Sequence, residues 1–567
     1  MMAPMYVERV PNRNSPPAVL LRESWREGSK TRKRTLANLS DWPEEKIESL
    51  RRLLQDVPLV SAKDLFAVER SRPHGHVEAV LGTMRKLDLP RLIASQPSRE
   101  RSLVVAMIAE RLLAPCSKLA MTRLWHTTTL AQELAVEDAD VDELYAALDW
   151  LLARQTTIET KLGRRHIKDG AIVLYDATTS HYEGRTCPLA RFGHDRDGKH
   201  LPVILYGVLT DSHGRPVAVE VFPGNTGDPT TVTTQVEKLR QRFGLSRAVL
   251  VGDRGMLTES QIDKLRQHPG LGWISSLRSP AIRSLVEDGH LQRSLFDEGQ
   301  LAEIRSPDYP NERLIACFNP ILAGERRRKR QELLAATEKD LERLRREVRR
   351  RTKKPLGRAE IGLKAGRILG RYKMGKHFVL TIEDGHFAWT RREREIEREA
   401  GLDGIYVVRT SEPAERLQPA DAVRTYKSLA LVERAFRCLK GIDLLVRPLR
   451  HRTEDRVRAH IFLCLLAYYV EWHMRQALAP MLYHDEELNA DRRRRDPVAP
   501  AQPSASAKRK KAERRHHSFQ TLMADLATRC RNTCRVSSQA QGGRTLELVS
   551  EPTPQQREAF GLLGLSL

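Results

Sequence analysis

Cysteine is scarce in this 567-residue chain: seven residues, at positions 116, 187, 317, 438, 464, 530 and 534, scattered and odd in number. That excludes a disulfide framework and suits a reducing compartment. Long hydrophobic runs are missing too. The longest purely apolar stretch, 461–470, meets Glu471 after ten residues, too few to span a bilayer and enough for a buried helix. The N-terminal MMAPMYVERV lacks the apolar core of a signal peptide. Acidic residues are the minority, 73 against 96 Lys plus Arg, for a net charge of +23. This excess favours a polyanionic partner, because cations that neutralise phosphates release condensed counterions; a merely soluble basic surface is the plainer alternative. The expectation is a cytoplasmic protein with no membrane association, which in a bacterium would meet DNA directly. A hydrophobic content of 40% is enough for folded cores, and the length calls for three or four domains.

Segments 18–24 and 30–36 read as two strands around a turn at 26–29, a hairpin carrying Arg22, Arg32, Lys33 and Arg34. Asp41 is placed to cap a helix bearing Ile47, Leu50 and Leu54 on one stripe, with Glu44 at its third position. From about 60 to 165 the pattern is mainly helical. A basic hairpin followed by helices fits a reader of DNA ends, and it equally fits a solvated charged face over a bundle.

The centre has a different pattern. Two short apolar runs, 171–175 and 248–252, each end in an aspartate, Asp176 and Asp253. Between them lie two further strands, 201–210 and 217–222, and a helix opened by Asp228 and Pro229. Strand, hairpin, helix, strand, helix is the order of an α/β sheet covered by helices. Side chains alternate along a strand, so Leu174 and Asp176 share one face, as do Val251 and Asp253. If the two strands are adjacent and parallel, both carboxylates meet at the carboxyl edge of the sheet. Like charges there need a divalent cation, and carboxylate oxygens suit Mg²⁺ or Mn²⁺. Taken singly, either aspartate is as well explained by capping the turn after its strand; the matched pair favours a metal site.

A strand at 402–409 precedes one long helix expected over 420–440. On it Tyr426, Glu433, Arg437 and Lys440 fall within roughly 60° of arc. Lys427 and Arg434 flank them, and Val432, Ala435, Phe436 and Leu439 form the neighbouring apolar stripe. Glu433 is the acid of an otherwise basic, phosphate-seeking face. An ordinary helical ion pair with Arg437 is the simpler reading of that spacing alone.

An ordered series of segments resembles the insertion-sequence-4 superfamily of bacterial DDE transposases, in its branch with a long insertion before the last acid. The series is Leu174-Tyr-Asp-Ala-Thr-Thr179, Phe192-Gly-His-Asp-Arg-Asp-Gly198, Val221-Phe-Pro-Gly-Asn-Thr226 with Asp228, Val251-Gly-Asp-Arg-Gly-Met256, and Tyr426…Glu433…Lys440. Leu429 stands where the family signature has Arg. The resemblance implies an RNase H-like core with catalytic, metal-holding Asp176, Asp253 and Glu433. It implies two Mg²⁺ or Mn²⁺ ions, with Asp176 bridging both. Cleavage by water at the element's ends, then attack of the freed 3′-OH on target DNA, would follow. Partners would be terminal inverted repeats and target DNA, held by a homodimer. Tyr426, Lys427, Arg434, Arg437, Lys440 and Arg254 would contact DNA at the site.

The expected fold class is α/β: an RNase H-like core with an inserted β-containing subdomain and a mainly helical N-terminal DNA-binding region. The expected domains are 1–60 (basic hairpin and helix), 61–165 (helical), 166–290 (core, first part), 291–400 (insertion), 401–480 (core, second part) and 481–567 (basic linker and C-terminal region). In the insertion, strands at 314–318, 378–382 and 386–389 accompany a charged helix at 326–351. The resemblance to members with a β insertion implies that this hairpin could trap a flipped base by aromatic stacking, with Trp389 the candidate, against the plainer role of packing its hairpin. Residues 492–515 read as a disordered basic linker. His516, His517, Cys530 and Cys534 match no strong zinc-ligand spacing. Two other functions fit the same core: a structure-specific nuclease or resolvase, and a non-enzymatic DNA-binding repressor derived from a transposase.

Overall fold

The computed structural model describes residues 5–13, 16–55, 66–194, 198, 200–297, 299–483, 516–536 and 544–567. The segment 195–197 and the basic stretch 492–515 lie outside them. Two compact units are present: Met1–Arg72 with Cys530–Glu551, and Pro73–Arg529 with Pro552–Leu567.

In the smaller unit, β1 (Met5–Val10), β2 (Ala18–Glu27) and β3 (Lys30–Asn38) form an antiparallel sheet. The hairpin expected from the sequence therefore gains a third strand. Its turn is tight because Gly28 adopts a φ of 64°. The next helix starts at Glu44, not at a cap on Asp41, because Pro43 in extended geometry is its N-cap. Its stripe residue Ile47 packs with Val19 and Leu39. A further strand, β4 (Phe66–Pro73), heads a second sheet made with Cys530–Val536 and Arg544–Val549. The C-terminal region thus returns to this unit.

The larger unit is built on eight strands: β5 (Ala171–His181), β6 (Val203–Asp211), β7 (Pro216–Pro223), β8 (Ala248–Val251), β9 (Leu271–Ser276), β10 (Leu301–Ile304), β11 (Arg313–Phe318) and, after an excursion, β14 (Ile405–Thr410). Their order is β10-β11-β14-β9-β8-β5-β6-β7. Strands β5, β6 and β7 run antiparallel, while β5, β8 and β9 are parallel neighbours. A three-strand meander followed by two parallel strands, in the order 3-2-1-4-5, is the RNase H-like arrangement. Residues of β6, β8 and β9 are buried throughout, which is why β8 reads as a continuous apolar run. Gly207 permits one close approach: a Cβ there would stand 2.1 Å from the Tyr175 hydroxyl.

Helices Gly75–Lys86, Arg99–Leu113, Val141–Leu152 and Gln155–His166 share one hydrophobic core with this sheet. The run 461–470 sits inside the helix Glu454–Ala477 and is buried along its whole length. No helix among the described residues is long and apolar enough to cross a membrane.

The expected insertion divides in two. The strand expected at 314–318 belongs to the central sheet, as β11 paired with β14, because both of its faces find apolar cover. The part with its own core is the helix Pro320–Arg350, the helix Arg358–Tyr372 and the hairpin β12 (Phe378–Glu383) and β13 (His386–Arg391). On the long helix, Leu334, Thr337, Leu341, Leu344 and Val348 are all buried. The seven-residue recurrence is the inner face of this small domain.

Candidate active site at the parallel edge of the sheet

Strands β5 and β8 pair in parallel with Leu174 opposite Val251. Asp176 comes two residues beyond Leu174 and Asp253 two beyond Val251, each on the carboxyl side of that pair. Strand β8 ends at Val251, leaving Asp253 exposed in the following turn. Strand β5 does not end at Asp176, as the sequence suggested; it runs to His181 because its pairing with β6 continues to His181 opposite Val203. Asp176 is half-buried within the strand, and its carboxylate accepts the Ala177 N–H at 2.8 Å.

The helix expected over 420–440 is two helices, Pro419–Lys427 and Ala430–Lys440, with a break at Ser428 and Leu429. Ser428 Oγ donates back to the Arg424 carbonyl at 3.0 Å, a local bond that competes with continued helix. The second helix carries Glu433 and is held by three contacts, to the β6–β7 turn, to β6 and to β5. Leu431 lies against the β6–β7 turn, where a Cβ on Gly214 would meet it at 2.7 Å. Phe436 packs edge-on against Tyr206, with centroids 6.0 Å apart. Lys440 Nζ donates to Thr178 Oγ1 at 2.6 Å. Thr178 shares the strand face of Asp176, so this helix covers the face from which Asp176 projects. Glu433 lies between the Leu431 and Lys440 anchors, on the same side as Lys440 and exposed. The stripe Val432, Ala435, Phe436 and Leu439 is buried as its spacing implied.

Because of the break, Tyr426 does not share the helical face of Glu433. It reaches the site by another route: its hydroxyl lies 2.7 Å from Ser276 Oγ at the end of β9 and donates to Asp253 Oδ1 at 3.3 Å. Burial, with the Asp253 charge adding to it, pushes the phenol pKa up to about 12. The group therefore remains a donor at neutral pH. Ser276 had no signal in the sequence, since the Tyr426 contact joins residues 150 apart. Thr178 had one, two residues beyond Asp176 on the same strand face.

Three carboxylates are the donor set for a hard divalent ion. They are not gathered around a single point. Among the described residues, one group of three ligand-type side chains has its atoms mutually within 4.8 Å, and that group is Cys438, Asp443 and Glu471. Arg475 occupies it, 2.6 Å from Glu471 and 3.1 Å from Asp443, which makes it an internal ion-pair cluster.

The surrounding cations vary in setting. Arg254 and Arg437 are exposed, and Arg434 is half-buried. Lys427 is exposed over the Tyr406 ring at 5.9 Å. Leu429 packs against the core. In the smaller unit, Arg22 and Lys33 pair with Glu8, Arg34 with Glu23 and Arg32 with Glu27, so strand neighbours offset much of the hairpin's positive charge. Trp389 is half-buried in its hairpin, edge-on to Phe378 at 5.7 Å.

A family model described as a transposase DDE domain matches residues 167–470, more than half of the chain. This chain belongs to the DDE transposases. A second model, the N-terminal domain of IS1634 family transposases, matches residues 7–59 of the transposase, the three-stranded sheet and its helix. No curated protein matches it. Among solved structures, a piggyBac transposase synaptic complex with hairpin DNA aligns at 10% identity and a TM-score of 0.33, covering 82% of this chain and 84% of that one. The transposase is thus an insertion-sequence enzyme that acts on DNA, a metal-dependent endonuclease and strand transferase. The β5–β14 sheet and the Glu433 helix all fall inside the DDE match, as does the small domain of 320–400.

Proposed function

We propose that Asp176, Asp253 and Glu433 are the catalytic acids of this transposase and hold two Mg²⁺ or Mn²⁺ ions. The chain would belong to the insertion-sequence-4 branch and act on its own terminal repeats as a homodimer, in the bacterial nucleoid. The observation that carries the reading is the parallel pairing of β5 with β8, which brings Asp176 two residues past Leu174 and Asp253 two past its partner Val251, beside the Glu433 helix that Lys440 ties to Thr178 on the Asp176 strand face.

When bound, the ions lower the cost of negative charge on the attacking and leaving oxygens. The protein's own groups do the rest. Asp176, rigid within β5, fixes one side of the site. Tyr426 donates to Asp253 and holds its carboxylate in one orientation. Arg434 and Arg437, on the Glu433 helix, with Lys427 and Arg254 nearby in the chain, supply cations for the phosphates on either side of the reacting one. Lys440 ties the helix to Thr178 and so keeps Glu433 at its level. Water first displaces the 3′-oxygen at the element's end, leaving a 3′-OH and a 5′-phosphate. That 3′-OH then attacks a target phosphodiester and displaces a target 3′-oxygen. One bond forms as one breaks, so no external energy source enters.

Asp176→Asn, Asp253→Asn and Glu433→Gln are each expected to abolish nicking and joining of labelled inverted-repeat ends with a target plasmid, while DNA binding persists. Joined products separate a transposase from a nuclease of the same core. Full joining activity in any one of the three variants would refute the assignment of that acid.

A further inference from the structure

Away from the acids, the larger unit contains a cavity of ≈ 600 Å³ lined by Arg111, Lys118, Arg447, Arg450, Arg452 and Arg456, with His451 and His460 also in its wall. Its charge is of one sign. Lys118 is 4% exposed and Arg111 8%. The Arg111 guanidinium donates to neutral carbonyls, at 3.1 Å to Cys116 and at 3.4 and 3.5 Å to Leu445 and Leu444. No hydrogen bond or ion pair reaches the Lys118 ammonium from the described residues. The carboxylates nearby are fewer than the cations. Glu183 pairs with Arg450 at 2.8 Å, Asp149 lies 4.0 Å from Arg456, and Glu110, which accepts the Cys116 thiol at 3.6 Å, is the one acid whose charge acts on both Arg111 and Lys118. Burial first, then Arg111, brings Lys118 down to about 7. Burial and the same cations hold His451 near 4 and His460 well below its ordinary value.

Buried cations that outnumber their counter-charge cost stability. Two of them facing one cavity, ringed by further arginines, are compensated when an anion enters. Arginine forks and a lysine point charge together fit the tetrahedral oxygens of a phosphate. We propose that this cavity is a phosphate-binding site and that its ligand is a backbone phosphate of the DNA strand lying along the Glu433 helix. The path favours a strand over a free phosphate compound. The loop 441–452 that forms one wall continues directly from the Glu433 helix, and Arg447 Nε donates to the Lys440 carbonyl at 3.3 Å. The same wall is joined to the end of β5 through the Tyr182–Leu449 bridge and the Tyr182 hydroxyl bond to the His451 carbonyl. A strand passing Glu433 and Lys440 reaches the cavity next. The choice of DNA as source rests on the DDE transposase reading; the phosphate chemistry does not.

The test uses the full chain with Lys118→Met and, at the exposed rim, Arg452→Ala. Binding of a fluorescent duplex oligonucleotide is measured over a range of salt, and melting temperature is measured with and without inorganic phosphate and ATP. Each lost phosphate contact lowers the slope of log affinity against log salt by about 0.9. Each variant is expected to lose about one contact of slope and about tenfold in affinity at low salt. Lys118→Met without ligand is expected to melt no lower than the parent, since it removes a buried charge that Glu110 alone offsets and shares with Arg111. If the salt slope stays at the parent value while phosphate or ATP raises the melting temperature of the parent and not of Lys118→Met, the site takes a free phosphate compound and the DNA assignment falls. Unchanged slopes with no phosphate effect overturn the proposal, as does a Lys118→Met protein that melts lower while Arg452→Ala binds DNA normally. Binding does not need the acids, so Asp176→Asn should keep the parent slope. Its outcome in cleavage therefore bears on the active site alone.

Discussion

Gly214 gives a direct way to move Glu433 without touching it. This glycine sits in the β6–β7 turn with a φ of 77°, and an added Cβ would lie 2.7 Å from Leu431 Cβ. Ordinary contact begins near 3.4 Å, so Gly214→Ala must push the start of the Glu433 helix by about 0.7 Å or twist the turn. Two costs follow. Left-handed backbone in a residue with a Cβ costs about 1–2 kcal/mol, and crowding adds roughly another 1 kcal/mol or more. Gly244→Ala separates them, because Gly244 has a φ of 68° with nothing within 4 Å of its Cβ position. It should lose only the backbone part. The displaced helix has a second consequence: misplacing a reacting group by about 1 Å can lower a rate about 100-fold. Gly214→Ala is therefore expected to destabilise by about 1 kcal/mol more than Gly244→Ala in urea melts, and to cut end-nicking by roughly 10- to 100-fold while DNA binding holds. Equal stabilities and nicking within about twofold of the parent would refute the claim that the turn sets the position of Glu433.

Tyr426→Phe removes the donor to Asp253 and the bond to Ser276; a loss of about one hydrogen bond predicts roughly tenfold slower nicking with a melting temperature near the parent's, read by single-turnover cleavage. Trp389→Ala should destabilise the 320–400 domain by about 2–4 kcal/mol through lost packing on Phe378, whereas Trp389→Phe should restore it; a Trp389→Phe protein with parental stability but defective end-processing would instead assign the ring to base stacking. Acid should unfold the larger unit: burial holds His76 near 4, His166 near 3 and His473 near 4, below the roughly 6.5 of the unfolded chain. Stability from these neutral rings is complete above pH 6.5 and is lost as pH falls through 4. His76→Gln should flatten that fall by up to about 1.4 kcal/mol per pH unit, checked by denaturant midpoints between pH 7 and 4.

The local pattern of the chain already determined the strands that lead into Asp176 and Asp253, and the buried stripe of the Glu433 helix. These depend on period and on apolar content, which neighbours in sequence carry. The ordered motifs then named the family. Three things needed the folded chain. The break at Ser428 and Leu429 depends on a side chain choosing a backbone carbonyl over continued helix, so it removed Tyr426 from the expected arc and set its hydroxyl between Ser276 of β9 and Asp253. The recruitment of β11 into the central sheet depended on which partner strand offered apolar cover on both faces. The cationic cavity joins residues near 115 to residues near 450, and no local pattern encodes a contact across so much chain. Sequence period fixes which face of an element is apolar or charged; which faces meet is settled by the free energy of packing all elements at once.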